Sequence, residues 1–243
     1  ACVDDLTQVF DMMTSGDVTA MIAEPIQGVG GFTTPPDGFF GAIKKELDNR
    51  GVLFISDEVQ TGWGRTGEHF WGYQAHGMVP DMMTFAKGVG NGLALGGVVA
   101  RAEVMEAMGA NSISTFGGNP LASAGALATI RYMLDNDTQK NALEMGSRLA
   151  THLQPAVEVS PVVAELRGRG LMLAIETVHP DSLEPNPGAA VQLMEDTRAA
   201  GLLIGKGGLY GNVLRIAPPM TVNAAEVDEA AGILVESIAG LHL

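Results

Sequence analysis

Two polar residues of this sequence follow apolar runs, and both could take part in catalysis. Lys87 follows residues 82–86 and precedes the glycine-rich stretch 88–92, whereas Asp57 follows residues 52–56. Ligands bind at the carboxyl ends of strands in open α/β sheets, so we expect both side chains at one sheet edge. A lysine amine can bond to an aldehyde, and a carboxylate can pair with a cationic ring nitrogen. The two residues therefore predict a site for pyridoxal 5'-phosphate (PLP).

Two residues shortly after Asp57 could contact the same cofactor. Val59 is suited to pack on a face of the ring, and Gln60 can donate a hydrogen bond to its phenolate oxygen. Taken alone, Lys87 could equally be a charged residue at the surface, and Asp57 could be the cap of a helix. The glycines after Lys87 favour a ligand site, because they let a bulky molecule approach the backbone.

Arg215 lies between apolar residues late in the chain. A guanidinium in such a setting forms either a structural ion pair or a bidentate fork for a substrate carboxylate. The sequence leaves both interpretations open.

Residues 62–67 match the pattern G-x-G-x-x-G, with Asp81 further on, as in a dinucleotide-binding fingerprint. Residues 57–61 separate this pattern from the preceding strand, whereas the fingerprint places its first glycine in the turn itself. We interpret the match as coincidental and keep a nucleotide-binding dehydrogenase as a distant alternative.

The composition restricts the partners of this protein. Fourteen basic and 28 acidic residues give a net charge of −14, which disfavours binding to nucleic acid or an anionic membrane. No run reaches the ~18 apolar residues of a membrane span.

The five histidines show no metal-ligand spacing, so we expect no metal site. The single cysteine, Cys2, fits a reducing compartment, and we expect the cytoplasm, with the mitochondrial matrix as the alternative.

Short apolar segments alternate with helical patterns in the first half of the chain. We expect strands at 18–23, 52–56, 81–86 and 97–100, which indicate an α/β fold with a mainly parallel sheet covered on both faces. After Pro120 the pattern changes to long helices and short strands. We predict that residues 1–130 are part of a large domain and that residues 131–243 form a C-terminal α+β small domain.

Five segments together resemble the class III (subgroup II, ω-type) PLP-dependent aminotransferases. They are Ala23-Glu24-Pro25-Ile26-Gln27-Gly28, Asp57-Glu58-Val59-Gln60-Thr61-Gly62, Ala86-Lys87-Gly88, Thr115-Phe116-Gly117-Gly118-Asn119-Pro120 and Leu214-Arg215-Ile216-Ala217-Pro218-Pro219. Each is modest alone, but five in this order are highly specific and cover essentially the whole chain. The last two are most similar to the alanine–glyoxylate aminotransferase 2 and β-alanine–pyruvate transaminase branch, which includes phospholyases. The resemblance implies the PLP-dependent transferase fold type I.

The resemblance also implies a role for each matched residue. Lys87 would bind PLP covalently and shuttle protons, and Asp57 would pair with the pyridine nitrogen. Gln60 would contact the phenolic oxygen, and Val59 would support the ring. Thr115 would reach the cofactor phosphate of the other subunit, so a homodimer would share its active sites.

Two further residues would contact the substrate. By the same resemblance, Arg215 would bind the α-carboxylate of the amino acid or keto acid. Glu24 would neutralise Arg215 when the donor lacks that carboxylate, which makes the two residues a switch between donor classes.

The implied reaction moves an amino group from an α- or ω-amine donor, such as alanine, β-alanine or β-aminoisobutyrate, to pyruvate or glyoxylate. A PLP-dependent lyase of the phospholyase type, an aminomutase and an inactive truncated fragment are the alternatives. The family also carries an upstream Ser-Gly-rich phosphate-binding turn and a ring-stacking aromatic residue, and neither precedes Lys87 here. We therefore expect this chain to be the C-terminal portion of a longer enzyme.

Overall fold

The structure is a computed structural model that describes residues 2–241. The chain forms two compact units, each assembled from segments that are separate in sequence. The first comprises Ala1–Pro25, Pro35–Trp63 and Trp71–Asn136, and the second comprises Ile26–Thr34, Gly64–Phe70 and Asp137–Leu243. The domain limits of 1–130 and 131–243 stay a prediction.

The first unit contains a four-stranded sheet in the order β1-β2-β3-β4. Its strands are β1 (Ala20–Ala23), β2 (Leu53–Asp57), β3 (Met82–Phe85) and β4 (Gly97–Ala100). β1, β2 and β3 run parallel, whereas β4 runs antiparallel to β3. The four expected strands are confirmed, and the carboxyl ends of β1, β2 and β3 share one edge of the sheet.

Helices α1 (Cys2–Met13) and α2 (Phe39–Asn49) cover one face of this sheet. Phe40, Leu47 and Phe54 are buried in the core on that face. The opposite face stays open in the described residues: Ile22 on β1 is 59% exposed and Val98 on β4 is 49% exposed. No helix of residues 2–241 supplies the expected cover on this second face.

The first unit ends with α3 (Ala102–Glu106) and α4 (Pro120–Asp135). α4 begins after Asn119, whose side-chain oxygen accepts a hydrogen bond from the N–H of Ala122. An asparagine cap followed by Pro120 at the first helical position is a favoured helix start. Ala122 and Ala126 are the buried residues of α4, so small side chains form its packed face.

The second unit is a four-stranded antiparallel sheet covered by three helices. Its strands, in the order β5-β6-β8-β7, are β5 (Val163–Arg169), β6 (Met172–Thr177), β7 (Gly205–Gly207) and β8 (Val213–Ile216). Its helices are α5 (Thr138–Val159), α6 (Pro187–Ala199) and α7 (Ala224–Ala239). Leu153, Ile175, Leu214 and Leu234 lie at the centre of its core. The expected α+β pattern after Pro120 is confirmed.

The segment Ile26–Thr34 is held against this second sheet by residues from much later in the sequence. Arg167 Nε donates to the carbonyl oxygen of Gly31 at 2.9 Å, and Gly208 N–H donates to the carbonyl of Val29 at 3.0 Å. Ile26 and Phe32 are buried with Val213 in a small cluster of their own.

No helix within residues 2–241 is long and apolar enough to cross a membrane.

Candidate active site

Lys87 follows the carboxyl end of β3 and opens a 3₁₀ turn, Lys87–Gly90. Its side chain is exposed. Its φ angle is 47°, in the left-handed region that residues other than glycine rarely occupy. Backbone in this region costs free energy, and strained residues cluster at active sites. Among residues 2–241, five other non-glycine residues also have a positive φ, Trp63 and Asn91 among them. The strain therefore fits a functional role for Lys87 but does not single it out.

Asp57 is the last residue of β2 and pairs in register with Thr84 of β3, three residues before Lys87. One of its carboxylate oxygens, Oδ1, accepts a hydrogen bond from the N–H of Val59 at 3.1 Å. No donor from residues 2–241 reaches the other oxygen, Oδ2. A half-buried carboxylate thus keeps one oxygen available to a cationic partner.

Glu24 follows the carboxyl end of β1 and contacts the loop after β2. Gln60 Nε2 donates to Glu24 Oε2 at 3.5 Å, and Val59 is half-buried beside Gln60. Since β1, β2 and β3 are parallel neighbours, Glu24, Asp57 and Lys87 all lie at the same edge of the sheet. Glu24 and Asp57 are level with each other, and Lys87 lies three residues beyond Thr84, the register partner of Asp57. The structure thereby gathers most of the predicted site residues at one sheet edge.

Thr115 is placed apart from that group. It lies in the exposed segment between α3 and α4, next to Phe116, whose side chain is 81% exposed. Within residues 2–241, no hydrogen bond links Thr115 to another predicted site residue. Its role as a phosphate ligand stays a prediction.

Arg215 lies on β8 of the second unit. Its Nη1 donates to the carbonyl oxygen of Gly28 at 3.3 Å, and its guanidinium carbon lies 5.7 Å from the ring centroid of Phe32. Its Nε is buried without a hydrogen-bond partner, and no carboxylate of residues 2–241 forms an ion pair with it. Because the guanidinium has no carboxylate partner among residues 2–241, it fits the fork for a substrate carboxylate better than a structural ion pair.

Sequence reasoning missed Glu58, which is fully buried directly after Asp57. Its Oε1 accepts from Ser56 Oγ at 3.0 Å and Tyr73 N at 2.8 Å. Its Oε2 accepts from Thr61 Oγ1 at 2.6 Å and Gly72 N at 2.7 Å. Burial raises the pKa of the Tyr73 hydroxyl, and the charge of Glu58 raises it further. Glu58 fastens the loop that carries Val59 and Gln60 to the chain around Gly72.

An aromatic cluster next to the lysine was also missed. The ring centroid of Trp63 lies 4.7 Å from that of Trp71 and 5.3 Å from that of Phe85. Trp63 has a φ of 64°, and its Cδ1 would lie 3.9 Å from a Cβ added at Gly88. Isolated aromatic residues at irregular spacing carry no periodic signal, so the sequence could not predict this cluster.

The glycines of residues 62–67 serve packing. A Cβ at Gly64 would lie 2.8 Å from Cβ of Gln139, and a Cβ at Gly67 would lie 2.6 Å from Cα of Leu143. The next helical segment is a 3₁₀ turn at Gly72–His76, whereas a dinucleotide fingerprint opens an α-helix. The geometry does not support the dehydrogenase alternative.

Arg65, between those glycines, is a partly buried cation whose hydrogen bonds lie within the second unit. Its Nη1 donates to the carbonyl oxygens of Leu171 at 3.2 Å and Pro218 at 2.6 Å, and burial lowers its pKa.

No group of three or more His, Cys, Asp or Glu among residues 2–241 could hold a metal ion. His242 lies outside the described residues.

Residues 1–238 match the model of a protein family described as aminotransferase class-III. A curated relative, the mitochondrial alanine–glyoxylate aminotransferase 2 homolog 2 of Arabidopsis thaliana, is 39% identical over 226 residues. That alignment covers 92% of this chain and 47% of the relative. The chain therefore spans about half the length of the curated relatives it matches.

Solved structures of the same kind share the fold. A phospholyase from Arthrobacter, in complex with phosphoethanolamine, matches with a TM-score of 0.93 and 33% identity over 99% of this chain and 58% of its own. A transaminase from the marine bacterium Virgibacillus matches with a TM-score of 0.90 and 31% identity over 98% of this chain and 56% of its own. The predicted PLP-dependent transferase fold is confirmed.

Proposed function

Because this chain belongs to the class III aminotransferase family, we propose that the protein uses PLP to move an amino group from an amino acid to a keto acid. One observation carries the proposal. Glu24, Asp57 and Lys87 lie at or just after the carboxyl ends of three adjacent parallel strands, and Lys87 is held there with a strained backbone. An amine and a carboxylate at one sheet edge are the two groups that this cofactor requires.

The residues present fit the ring of PLP. Asp57 keeps Oδ2 available for the protonated ring nitrogen, and the exposed Lys87 amine is available for the aldehyde. Gln60 lies within the same loop and can donate to the phenolic oxygen, and Val59 can support the ring. For the phosphate, Thr115 is the residue we assign, from a second subunit.

When bound, PLP supplies the electron sink for the charge left on a substrate that loses its α-proton. The chain supplies the rest. Lys87 Nζ takes the proton from the substrate α-carbon, and Asp57 keeps the ring nitrogen protonated. Arg215 orients the substrate through its carboxylate. Glu58 holds the Asp57–Gln60 loop in place through its four hydrogen bonds.

We further propose that the protein acts as a homodimer in a reducing compartment. The exposure of Phe116 and of Leu121, which are 81% and 71% exposed on either side of Asn119, supports a subunit contact near Thr115. Light scattering measures the dimer directly. The cytoplasm is the proposed location. The Arabidopsis relative, which is called mitochondrial, supports the mitochondrial matrix as the alternative.

The test is amino-group transfer by the full-length protein with PLP. Alanine, β-alanine or β-aminoisobutyrate serves as donor, and pyruvate or glyoxylate as acceptor, except that alanine is paired with glyoxylate only. We expect the donor to be consumed only while keto acid is present, with one amino-acid product formed per donor consumed. Transfer that proceeds at the same rate in Lys87→Ala protein would contradict the proposal.

A lyase is the second candidate, since the Arthrobacter phospholyase shares the fold at a TM-score of 0.93. The same assay separates the two, with phosphoethanolamine as substrate. A lyase would release phosphate and ammonia without any keto acid, whereas a transaminase would be inactive until keto acid is added. An aminomutase would isomerise a single amino acid under the same conditions.

The switch between donor classes predicts a specific effect of Glu24→Ala. Glu24 contacts the amide of Gln60, and Arg215 keeps an unused donor at Nε. We expect kcat/KM of the variant to fall about tenfold with ω-amine donors, because one charge-assisted hydrogen bond is lost. With alanine as donor, kcat/KM should change little. An unchanged ratio of the two rates would exclude the switch.

A further inference from the structure

Thr84 carries a buried polar atom that the proposed mechanism does not use. Its Oγ1 is inaccessible to solvent and makes no hydrogen bond in the described structure. Buried hydroxyls almost always have a partner, and an unsatisfied one is destabilising. An orphaned hydroxyl of this kind indicates a partner that arrives later or a neighbour that turns toward it.

The neighbour of Thr84 is Asp57. The two residues pair in register across the parallel strands β2 and β3, so their side chains lie side by side on one face of the sheet. That face is the open one, which also carries Ile22 and Val98. Asp57 Oδ1 is already held by the N–H of Val59, whereas no donor from residues 2–241 reaches Oδ2.

We propose that Thr84 is a positioning residue for Asp57. The Thr84 hydroxyl donates to Asp57 Oδ2 when that carboxylate meets the cationic ring nitrogen, so both carboxylate oxygens are then fixed by the chain. This inference rests on the proposed function, because the ring nitrogen belongs to PLP. In the cofactor-free protein the unpaired hydroxyl does not stabilise the fold. Its removal should therefore weaken PLP binding without lowering the stability of the cofactor-free protein.

The experiment compares Thr84→Val with Thr84→Ser in the full-length protein. Valine keeps the shape of threonine and removes the hydroxyl, whereas serine keeps the hydroxyl. We expect Thr84→Val to leave the Tm of the cofactor-free protein unchanged or raised, and to weaken PLP binding roughly tenfold. Thr84→Ser should bind PLP within about threefold of the parent, because it retains the donor.

Binding is read from tryptophan fluorescence, which requires no turnover. The two tryptophans of the chain, Trp63 and Trp71, pack together beside Gly88 and therefore report on a ligand at Lys87. PLP is titrated into parent protein, both variants and Lys87→Ala protein. The absorption spectrum of each bound form is recorded in parallel as a second readout.

The outcomes separate the two proposals. Weaker binding by Thr84→Val together with recovery in Thr84→Ser supports the inference. Equal affinity of Thr84→Val and the parent, with Lys87-dependent binding intact, overturns the role of Thr84 and leaves the proposed function standing. A Thr84→Val protein whose cofactor-free Tm falls shows a structural role and overturns the inference. Parent protein that gives no Lys87-dependent signal overturns both proposals.

Discussion

Lys87→Ala and Lys87→Gly proteins are both expected to lose transamination by about 10⁴-fold, because the proton shuttle is gone. They should nevertheless differ in stability. Lys87 holds a φ of 47°, which strains any residue with a Cβ and leaves glycine unstrained. We expect the free energy of unfolding of Lys87→Gly to exceed that of Lys87→Ala by about 0.5–1 kcal/mol. Chemical denaturation of the cofactor-free proteins measures the difference.

A matched control for this prediction lies on α2. Lys45 is also exposed, but it occupies the interior of a regular helix. There the order reverses, and Lys45→Gly should be about 1 kcal/mol less stable than Lys45→Ala. If glycine were less stable than alanine at both positions, the left-handed backbone at Lys87 would carry no strain.

Glu58→Gln is expected to lower the free energy of unfolding by about 2–3 kcal/mol, a large effect for an isosteric change. Each carboxylate oxygen accepts one backbone N–H, from Gly72 or Tyr73, and one side-chain hydroxyl. A glutamine has a single oxygen. One of the two buried N–H groups must then face an NH₂ donor, whichever way the amide is turned.

Urea denaturation of the cofactor-free protein measures this loss, with Glu106→Gln as the control. Glu106 is exposed at the end of α3, so its substitution should change stability by less than about 0.5 kcal/mol. A Glu58→Gln protein as stable as the control would mean that water or a shifted loop satisfies both N–H groups.

The sequence predicted the strands of the first sheet because each is a short apolar run followed by polar residues. It also predicted that Asp57 and Lys87 share an edge, since parallel strands place their carboxyl ends together. It could not predict the direction of β4, because four small apolar residues carry no signal for it. The alternation of strands and helices does not say on which side of the sheet a helix packs. The sequence therefore could not predict that α1 and α2 cover the same face.

Other features depend on contacts between residues far apart in the chain. Glu58 has the sequence context of an ordinary turn residue, and only the approach of Gly72 and Tyr73 identifies it as a structural centre. The left-handed backbone of Lys87 and Trp63 likewise has no composition signal, because glycine usually fills such positions. The residues of the site could be predicted from their side-chain chemistry. The contacts and backbone conformations that hold them in place could not.

The attachment of Ile26–Thr34 to the second sheet sets an order of events during biosynthesis. Arg167 and Arg215, which donate to Gly31 and Gly28, follow those residues by 136 and 187 positions. A ribosome adding about 5–20 residues per second takes on the order of ten seconds or more to reach them. Through that interval the apolar side chains of Ile26 and Phe32 lack Met172, Ala174 and Val213, the other members of their cluster, and can bind chaperones.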